Sequence, residues 1–356
     1  MEIGNTLNLG NGLRLCVDWL SWTFKEPCTP LDVISFMGYS PEDFRQQPKG
    51  RNGYRSQFLH CAYDISVQYD GNEGMGVHVD ISGSAIGNML EHFYRSRIKE
   101  TAFHSQGYET TDFQGSVVCD LLAGIIKRGQ VTRLDLAIDD IGCNFYTMSE
   151  LHDIFWSHSF STRSRSWFEH TGHSTEHNDL NEIGWTIYLG KRTSSLMLRI
   201  YDKQQEQNIK HLKSGDAPIE TPWVRWELEM KKERAQRAAE LISQGVSVAF
   251  LAMGVLGNQL RIIEMDNSRN TRCSTSGKWE RFLDGIGKLS LYRPKEEKTL
   301  NDTKQWLFKQ VAPSLATVVL ADGGSMEYLE YLLACGSNRL NGHQTRLIGK
   351  EMGLAV

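Results

Sequence analysis

The sequence lacks the features of a membrane protein and of a protein coated in positive charge. It has no apolar run long enough to span a bilayer and no basic segment followed by an apolar one at its start. Lys and Arg number 39 against 43 Asp and Glu, and the formal net charge is -4. We therefore expect a cytoplasmic protein with no membrane partner, in which any contact with nucleic acid is local.

Cysteine pairs, repeats and low-complexity tracts are also missing. The seven cysteines are scattered without C-x-x-C spacing, which argues against a zinc site of that kind and against a secreted disulfide scaffold. We predict that they are reduced thiols that mostly serve packing. With 40% hydrophobic residues and no compositional mark of disorder, the chain is predicted to be globular.

What is present is a β-rich pattern followed by a helical one. Short β-rich runs alternate with helical stretches up to about Met265, and the pattern after that is mainly helical. The polar segment DNSRNTRCSTSG lies between the two parts and has no apolar periodicity. We predict a domain at 1–265, a linker or long loop at 266–276, and a mainly helical C-terminal region at 277–356.

Strand candidates follow one another through short turns, as in 54–59 to 63–69 and in 185–189 to 196–203. Strands joined by short turns pair antiparallel, whereas parallel pairing needs long crossovers. The predicted class is therefore α+β, with a largely antiparallel central sheet, packed helices and a helical C-terminal part.

Three strand candidates have an unusual polar face, because side chains alternate across a strand. The segments are RLDLAIDD at 133–140, LMLRIYDK at 196–203 and VRWELEMK at 224–231. If the three are neighbours, one face gathers Asp135, Asp139, Arg199, Tyr201, Lys203, Glu227 and Glu229.

The side chains on such a face are of the types that can cleave a phosphodiester bond. Clustered carboxylates favour a hard cation such as Mg²⁺ or Mn²⁺, which can polarise a phosphodiester oxygen. A tyrosine beside them can attack phosphorus and hold one end of the cut strand, while Arg199 and Lys203 position the phosphate or lower the phenol pKa. The alternative is a half-exposed strand whose acids pair with Lys or Arg across the sheet.

The same segments, in the same order, resemble the replication initiation factor family of rolling-circle initiators and related nicking relaxases. The matching segments are DWLSWTF, VDISGSA, TRLDLAIDD, GWTIYLGKRTSSLMLRIYDKQQE, WVRWELEMKKERA and SRNTRCSTSGKWERFL. The opening NGLRLCVDWLSWTF is most similar to the filamentous-phage initiators of the cholera-toxin phage type.

The resemblance implies a nicking fold in which carboxylates replace the usual metal-binding histidine pair. It points to Tyr201 as the residue that forms the 5′-phosphotyrosine, with Tyr188 as a lower-ranked competitor in the core or hairpin. Metal ligands carry over to Asp135 and Glu227 first, then to Asp139 and Glu229. Basic residues expected to contact DNA are Lys191, Arg192, Arg225 and Lys231.

The histidines of EHTGHSTEH, at 170, 173 and 177, look like a metal cluster, but this stretch has no β or helical period. A variable loop explains it better, since zinc sites usually add cysteine or regular spacing. Trp279 and Phe282 in the C-terminal region fit an interaction module or a structural cap equally well.

The sequence thus predicts a metal-dependent DNA nickase that starts rolling-circle replication and leaves a free 3′-OH. Its expected partners are origin DNA, single-stranded or in a hairpin at the nick, and a host helicase and polymerase, with a homodimer left open. Two alternatives remain, a conjugative relaxase of the same chemistry and a non-catalytic DNA-binding protein of replication or copy control.

Overall fold

The computed structural model describes residues 6–9, 12–25, 27–100, 113–173, 182–284, 289–291 and 299–352. It divides into two compact units, Met1–Arg293 and Pro294–Val356. Among the described residues, no helix is both long and apolar enough to cross a membrane. All seven cysteines are unpaired, as the sequence predicted.

Eleven strands of the described chain form one antiparallel sheet in the first unit, which confirms the α+β class. From one edge to the other they are β3 (Phe44–Gln47), β4 (Ser56–His60), β5 (Ile65–Tyr69), β6 (Val77–Ser82), β2 (Leu13–Phe24), β7 (Gly129–Ile141), β12 (Trp223–Lys231), β11 (Leu196–Asp202), β10 (Glu182–Leu189) and β9 (Trp167–His173), with β1 (Thr6–Asn8) also paired to β2. A separate pair joins β8 (Phe160–Thr162) to β13 (Leu260–Ile262).

Helices of the first unit begin where the sequence supplies caps. Thr29 and Thr147 each form a capping box with the acid three residues later, and Ser247 caps a third helix. The helices are α1 (Pro30–Phe36), α2 (Ala85–Glu100), α3 (Phe113–Arg128), α4 (Met148–Trp156), α5 (Lys203–Ser214), α6 (Glu233–Ser243), α7 (Val248–Gln259) and α8 (Gly277–Phe282). The second unit contains α9 (Leu300–Trp306), a π-helical turn (Leu307–Val311), α10 (Ala312–Ala321), α11 (Glu327–Ser337) and α12 (Gly342–Glu351).

The core lies on one face of the central strands. Leu136 of β7, Ile200 of β11 and Trp226 of β12 are fully buried, as their alternation predicted. The Trp226 ring packs against Trp279 and Phe282 of α8, with ring centroids 5.6 Å and 5.0 Å apart. Trp279 and Phe282 therefore complete the core of the first unit, which favours the structural cap over an interaction module.

The chain from 266 to 276, predicted as a linker or long loop, consists mostly of turns and bends between β13 and α8. Thr275 within it forms a β-bridge with Ile263, and Arg261 donates to the carbonyl oxygens of Asn270 and Cys273 at 2.9 Å. The first unit extends to Arg293. Separate roles for 1–265 and 277–356 stay predictions.

Several elements escaped the sequence patterns, among them β9, α7 and α5. Residues 167–173 form β9 at the sheet edge, where backbone pairing with β10 needs no apolar period, so a loop was the wrong expectation for His170 and His173. His177 lies outside the described residues. Helix α7 is buried on nearly every side and so lacks an amphipathic pattern, and α5 follows β11 without an intervening loop.

Candidate active site

The three strands with a polar face are neighbours, in the order β7, β12, β11. Pairing aligns them in rows across the sheet: Asp139 with Arg225 and Tyr201, Ala137 with Glu227 and Arg199, and Asp135 with Glu229 and Met197. Alternation puts these side chains opposite the buried core. The adjacency assumed from the sequence is therefore confirmed, and the acids, Arg199 and Tyr201 share one face.

Asp135 and Glu229 are held by one guanidinium. Arg133 donates to Asp135 at 2.5 to 3.1 Å and to a Glu229 oxygen at 2.9 Å. The second Glu229 oxygen accepts from Lys231 Nζ at 2.5 Å, and Lys231 also donates to the Arg192 carbonyl oxygen at 3.1 Å. These contacts match the ion-paired alternative raised by the sequence.

Asp139 belongs to a different, more buried network. Arg225 donates to its two oxygens at 2.6 Å and 2.8 Å, and Trp223 Nε1 donates to it at 2.8 Å. The remaining Arg225 nitrogen bonds Asp18 of β2 at 2.7 Å. Arg225 is 7% exposed. Its guanidinium therefore stabilises the sheet face, and its expected contact with DNA stays a prediction.

Burial dominates the electrostatics of the two first-ranked carboxylates. It raises the pKa of Asp135 to about 7, with Arg133 opposing and the charges of Glu227 and Glu229 adding to the rise. Burial also raises the pKa of Glu227, although Arg199 bonds it. Glu227 thus adds to the pKa rise of Asp135, and buried carboxylates of this kind have the oxygen chemistry of a site for a hard cation.

The positions of these side chains support a metal site less well than their chemistry does. Within the described part of the chain, no three acidic, histidine or cysteine side chains are arranged to hold a metal ion. A divalent ion at Asp135 and Glu227 would have to replace contacts now made by Arg133 and Arg199. Asp139 fits worst, because Arg225 and Trp223 occupy its oxygens.

Tyr201 lies on the polar face but is only 6% exposed. The Arg199 guanidinium carbon is 4.3 Å from the centre of its ring, and Lys203 Nζ is 5.6 Å away. Burial raises its pKa well above the ordinary value, helped by Glu227 and opposed by Arg225 and Arg199. The expected lowering of the phenol pKa is therefore wrong for the protein alone, because desolvation outweighs the cations.

Lys203 begins α5 and is bound to that helix. Its Nζ donates to Glu206 at 2.6 Å, and the other Glu206 oxygen accepts from Lys210 at 2.6 Å. Burial and the charge of Arg225 lower the pKa of Lys203. The Lys203 ammonium is therefore paired chiefly with Glu206.

Tyr188 shares the face and is the more accessible tyrosine. It pairs with Arg199 across β10 and β11, so it is a diagonal neighbour of Tyr201. It lines an open pocket of about 570 Å³ with Phe168, Met197 and His170, whose ring centroid is 5.5 Å from that of Tyr188. Tyr188 belongs to the β10–β11 hairpin, as one of the two expectations had it, and it is half-buried because β10 lies near the sheet edge.

Lys191 and Arg192 stand in the turn between β10 and β11 and are exposed, on the wall of the same pocket. Their role in binding DNA stays a prediction.

The order and geometry of these elements match a known family. A family model described as "Replication initiation factor" matches residues 129–333. This chain belongs to the replication initiation factor family. The match contains β7, β10, β11 and β12, and hence every predicted site residue.

Two relatives agree with this assignment. The initiation factor is 31% identical over 311 residues to "Putative DNA relaxase NicK" of Bacillus subtilis (strain 168), covering 86% of this chain and 81% of that protein. Its fold matches a solved rolling circle replication initiator protein from Geobacillus stearothermophilus with a TM-score of 0.61 at 21% identity. That match covers 79% of this chain and all of the other.

The polar face of this initiation factor continues beyond the predicted residues onto β2 and β6. Trp19 of β2 stacks under Arg133, whose guanidinium carbon is 4.1 Å from its ring centre. Asp80 of β6 accepts from Ser21 and from Gln68, at 2.5 Å and 2.9 Å. The alternation of polar residues in DWLSWTF and VHVDIS was the available signal, but only the sheet order places β2 beside β7 and β6 beside β2.

Proposed function

We propose that this initiation factor is a site-specific DNA nickase that starts rolling-circle replication with Tyr201 as nucleophile. The observation that carries the proposal is the single sheet face shared by Tyr201, Arg199, Glu227 and Asp135. A pure binder has no need of a tyrosine beside buried carboxylates and an arginine. The names of the relaxase and of the solved initiator support the same activity.

In the proposed reaction the Tyr201 oxygen attacks the scissile phosphorus as the phenol loses its proton. The bond to the 3′ oxygen breaks, which leaves a free 3′-OH and a 5′-phosphotyrosine. Arg199, over the ring, favours the phenolate and is placed to contact the phosphate. Because Tyr201 is buried and holds its proton tightly, the ring must become accessible when DNA enters.

Mg²⁺ or Mn²⁺ remains part of the proposal. Asp135 and Glu227, with Glu229 nearby, would hold the ion, and it would polarise a phosphodiester oxygen. Arg133 and Arg199, which now neutralise these carboxylates, would then be released toward the DNA.

The proposed substrate is origin DNA, entering as a single strand or a hairpin. The free 3′-OH would prime a host polymerase after a host helicase has opened the duplex, in the cytoplasm and with a homodimer still open. A conjugative relaxase is favoured by one observation, the 31% identity to the protein named as a relaxase. It differs from an initiator in the DNA served, not in the chemistry.

The test is cleavage of supercoiled DNA that carries the element's own origin, with Mg²⁺, Mn²⁺ or EDTA. We expect wild type to give a relaxed product with protein on the 5′ end, and Tyr201→Phe to give none. Tyr188→Phe is the matched control, because it removes a hydroxyl from the same face. EDTA should abolish cleavage by wild type.

Each result has a distinct meaning. Cleavage that survives Tyr201→Phe but not Tyr188→Phe would move the nucleophile to β10. Cleavage in EDTA would remove the metal from the mechanism. Origin binding without cleavage under any condition would favour the non-catalytic protein.

A further inference from the structure

A second pocket, of about 430 Å³, lies at the turn end of the β10–β11 hairpin. Three segments of the first unit form most of its wall: residues 163–166 after β8, residues 190–196 of the hairpin turn, and the end of α7. None of the residues predicted from the sequence lines it except Lys191. The pocket therefore lies outside the proposed catalytic residues.

The wall of this pocket is basic. Arg163, Arg165, Lys191 and Arg234 line it together with several serines, and no acidic side chain appears among its described lining residues. Arg133, Arg199 and Arg225, which lie on the opposite face of the sheet from Leu196, are each bonded to carboxylates. Guanidinium, ammonium and hydroxyl donors gathered in one pocket suit a phosphate oxygen.

Hydrogen bonds hold the wall in place. Gln259, at the end of α7, donates from Nε2 to Ser164 Oγ at 2.6 Å, and its carbonyl accepts from Thr162 Oγ1 at 2.8 Å. The Gly190 amide donates to the Ser166 carbonyl at 3.0 Å, with Gly190 at φ +99°. The segments that present the arginines are thus joined before any ligand arrives, which lowers the cost of binding.

Distance separates this pocket from the nucleophile. Leu196 lines the pocket, and Tyr201 lies five residues further along the same strand, or about 17 Å at 3.3–3.4 Å per residue. A phosphate in the pocket cannot be the one that Tyr201 attacks. It must be a different phosphate of the same strand or a separate ligand.

Continuity with the open pocket at Tyr188 favours the same strand. Gly190 and Lys191 line both pockets, so the two adjoin. The wall of the open pocket also includes Arg192 and Phe168, and Phe168 is 45% exposed. Alternating cations and an exposed aromatic ring are the surface on which single-stranded DNA lies.

We infer that the pocket of Arg163, Arg165, Lys191 and Arg234 binds a non-scissile backbone phosphate of the single strand, several nucleotides from the nick. The inference rests on the proposed function for the identity of the strand. The pocket would fix the register of the strand, so that one particular phosphate reaches Tyr201.

The test compares wild type with Arg163→Gln/Arg165→Gln in binding to a single-stranded oligonucleotide spanning the nick site, across a salt series. Both arginines are exposed, so the double variant should fold. Each phosphate contact to a single strand contributes about 0.7 to the slope of log K against log salt. Because the inference assigns one phosphate to the pocket, we expect the slope to become shallower by about 0.7, with weaker binding at every salt concentration.

Arg45→Gln is the matched control, because Arg45 is an exposed arginine on β3 at the opposite edge of the sheet. It should leave the slope unchanged. Shortening the oligonucleotide from one end should remove the difference in binding between wild type and the double variant. Shortening it from the other end should leave that difference. An unchanged slope in the double variant would overturn the inference.

Two further readouts separate the possible failures. Inorganic phosphate that raises the melting temperature of wild type but not of the double variant, with an unchanged DNA slope, would show a site for free phosphate and overturn the DNA assignment. In single-turnover cleavage at saturating DNA, the double variant should lose register and cut at neighbouring phosphates as well as at the nick site, and cleavage confined to the nick site at the wild-type rate would contradict the register-fixing role. If the double variant shows the predicted slope change but wild type never cleaves the DNA, the proposed nickase is refuted and the pocket remains a DNA site.

Discussion

At the scale of single residues, Arg225 shows how the polar face is stabilised. It is 7% exposed and bridges Asp139 of β7 and Asp18 of β2 from its place on β12. Burial alone would lower its pKa, but the bond to Asp139 and the neighbouring negative charges raise it. The guanidinium therefore stays charged and links three strands.

Replacing Arg225 by Met should destabilise the protein strongly, because two carboxylates would lose their partner in or near the interior. We expect the free energy of unfolding to fall by about 3–5 kcal/mol, measured by urea denaturation at pH 7. Arg55→Met is the control, since the Arg55–Asp70 pair is exposed and its loss should change the free energy of unfolding little. Equal losses in the two variants would contradict the structural role of Arg225.

The sequence indicated Tyr201 and its face, but not its burial or its pKa. The RIYDK motif and the family resemblance indicated the residue, and alternation indicated its face. Its burial and the charges around it, Glu227 and Arg225 of β12 among them, depend on a neighbouring strand that meets β11 only in the fold. The direction of its pKa shift could not be predicted without that burial.

At the scale of elements, the pairing of β2 with β7 sets the centre of the sheet. The register runs from Leu13 opposite Asp140 to Phe24 opposite Gly129, with irregularities at two points. At its end the chains approach closely, because a Cβ added to Gly129 would lie 2.0 Å from the Thr23 carbonyl oxygen. The Thr23 oxygen belongs to the backbone, which has little room to move.

Gly129→Ala should therefore destabilise the protein by about 1–3 kcal/mol through overpacking, as measured by chemical denaturation. Gly184→Ala in β10 is the control, because no atom lies within 4 Å of the Cβ that it would add. A stable Gly129→Ala variant, with stability equal to that of Gly184→Ala, would show that the two strands can separate locally at no cost.

Elements with a strong period were predictable from sequence, and those without one were not. The strands of the site differ from prediction by a few residues at their ends. Strand β9 and helix α7 were missed for opposite reasons. The first is an edge strand with few buried side chains, and the second is apolar all round.

At the scale of the whole molecule, the boundary of the first unit follows from packing. Helix α8 lies after the polar segment 266–276, yet Trp279 and Phe282 are buried against Trp226 of the central sheet. The unit defined by internal packing extends to Arg293.

A chain ending at Arg293 should fold, whereas one ending at Met265 should not, or should melt at a much lower temperature. The shorter chain loses two large core side chains, and removal of each such side chain alone costs about 3–5 kcal/mol. Thermal unfolding followed by circular dichroism checks this, with Trp279→Ala in the longer chain as a less drastic version. A cooperative transition of unchanged midpoint in the chain ending at Met265 would contradict the assignment of α8 to the core.

The sequence by itself determined the class, the strands of the site and the residue types on their polar face, because alternation and motif order are local properties. Family membership also followed from ordered motifs. Only the tertiary structure decided that β7, β12 and β11 are neighbours, that arginines pair with each predicted metal ligand, and that Tyr201 is buried while Tyr188 faces an open pocket. Those facts depend on contacts between residues far apart in the chain, and the period of a single strand does not encode its neighbour.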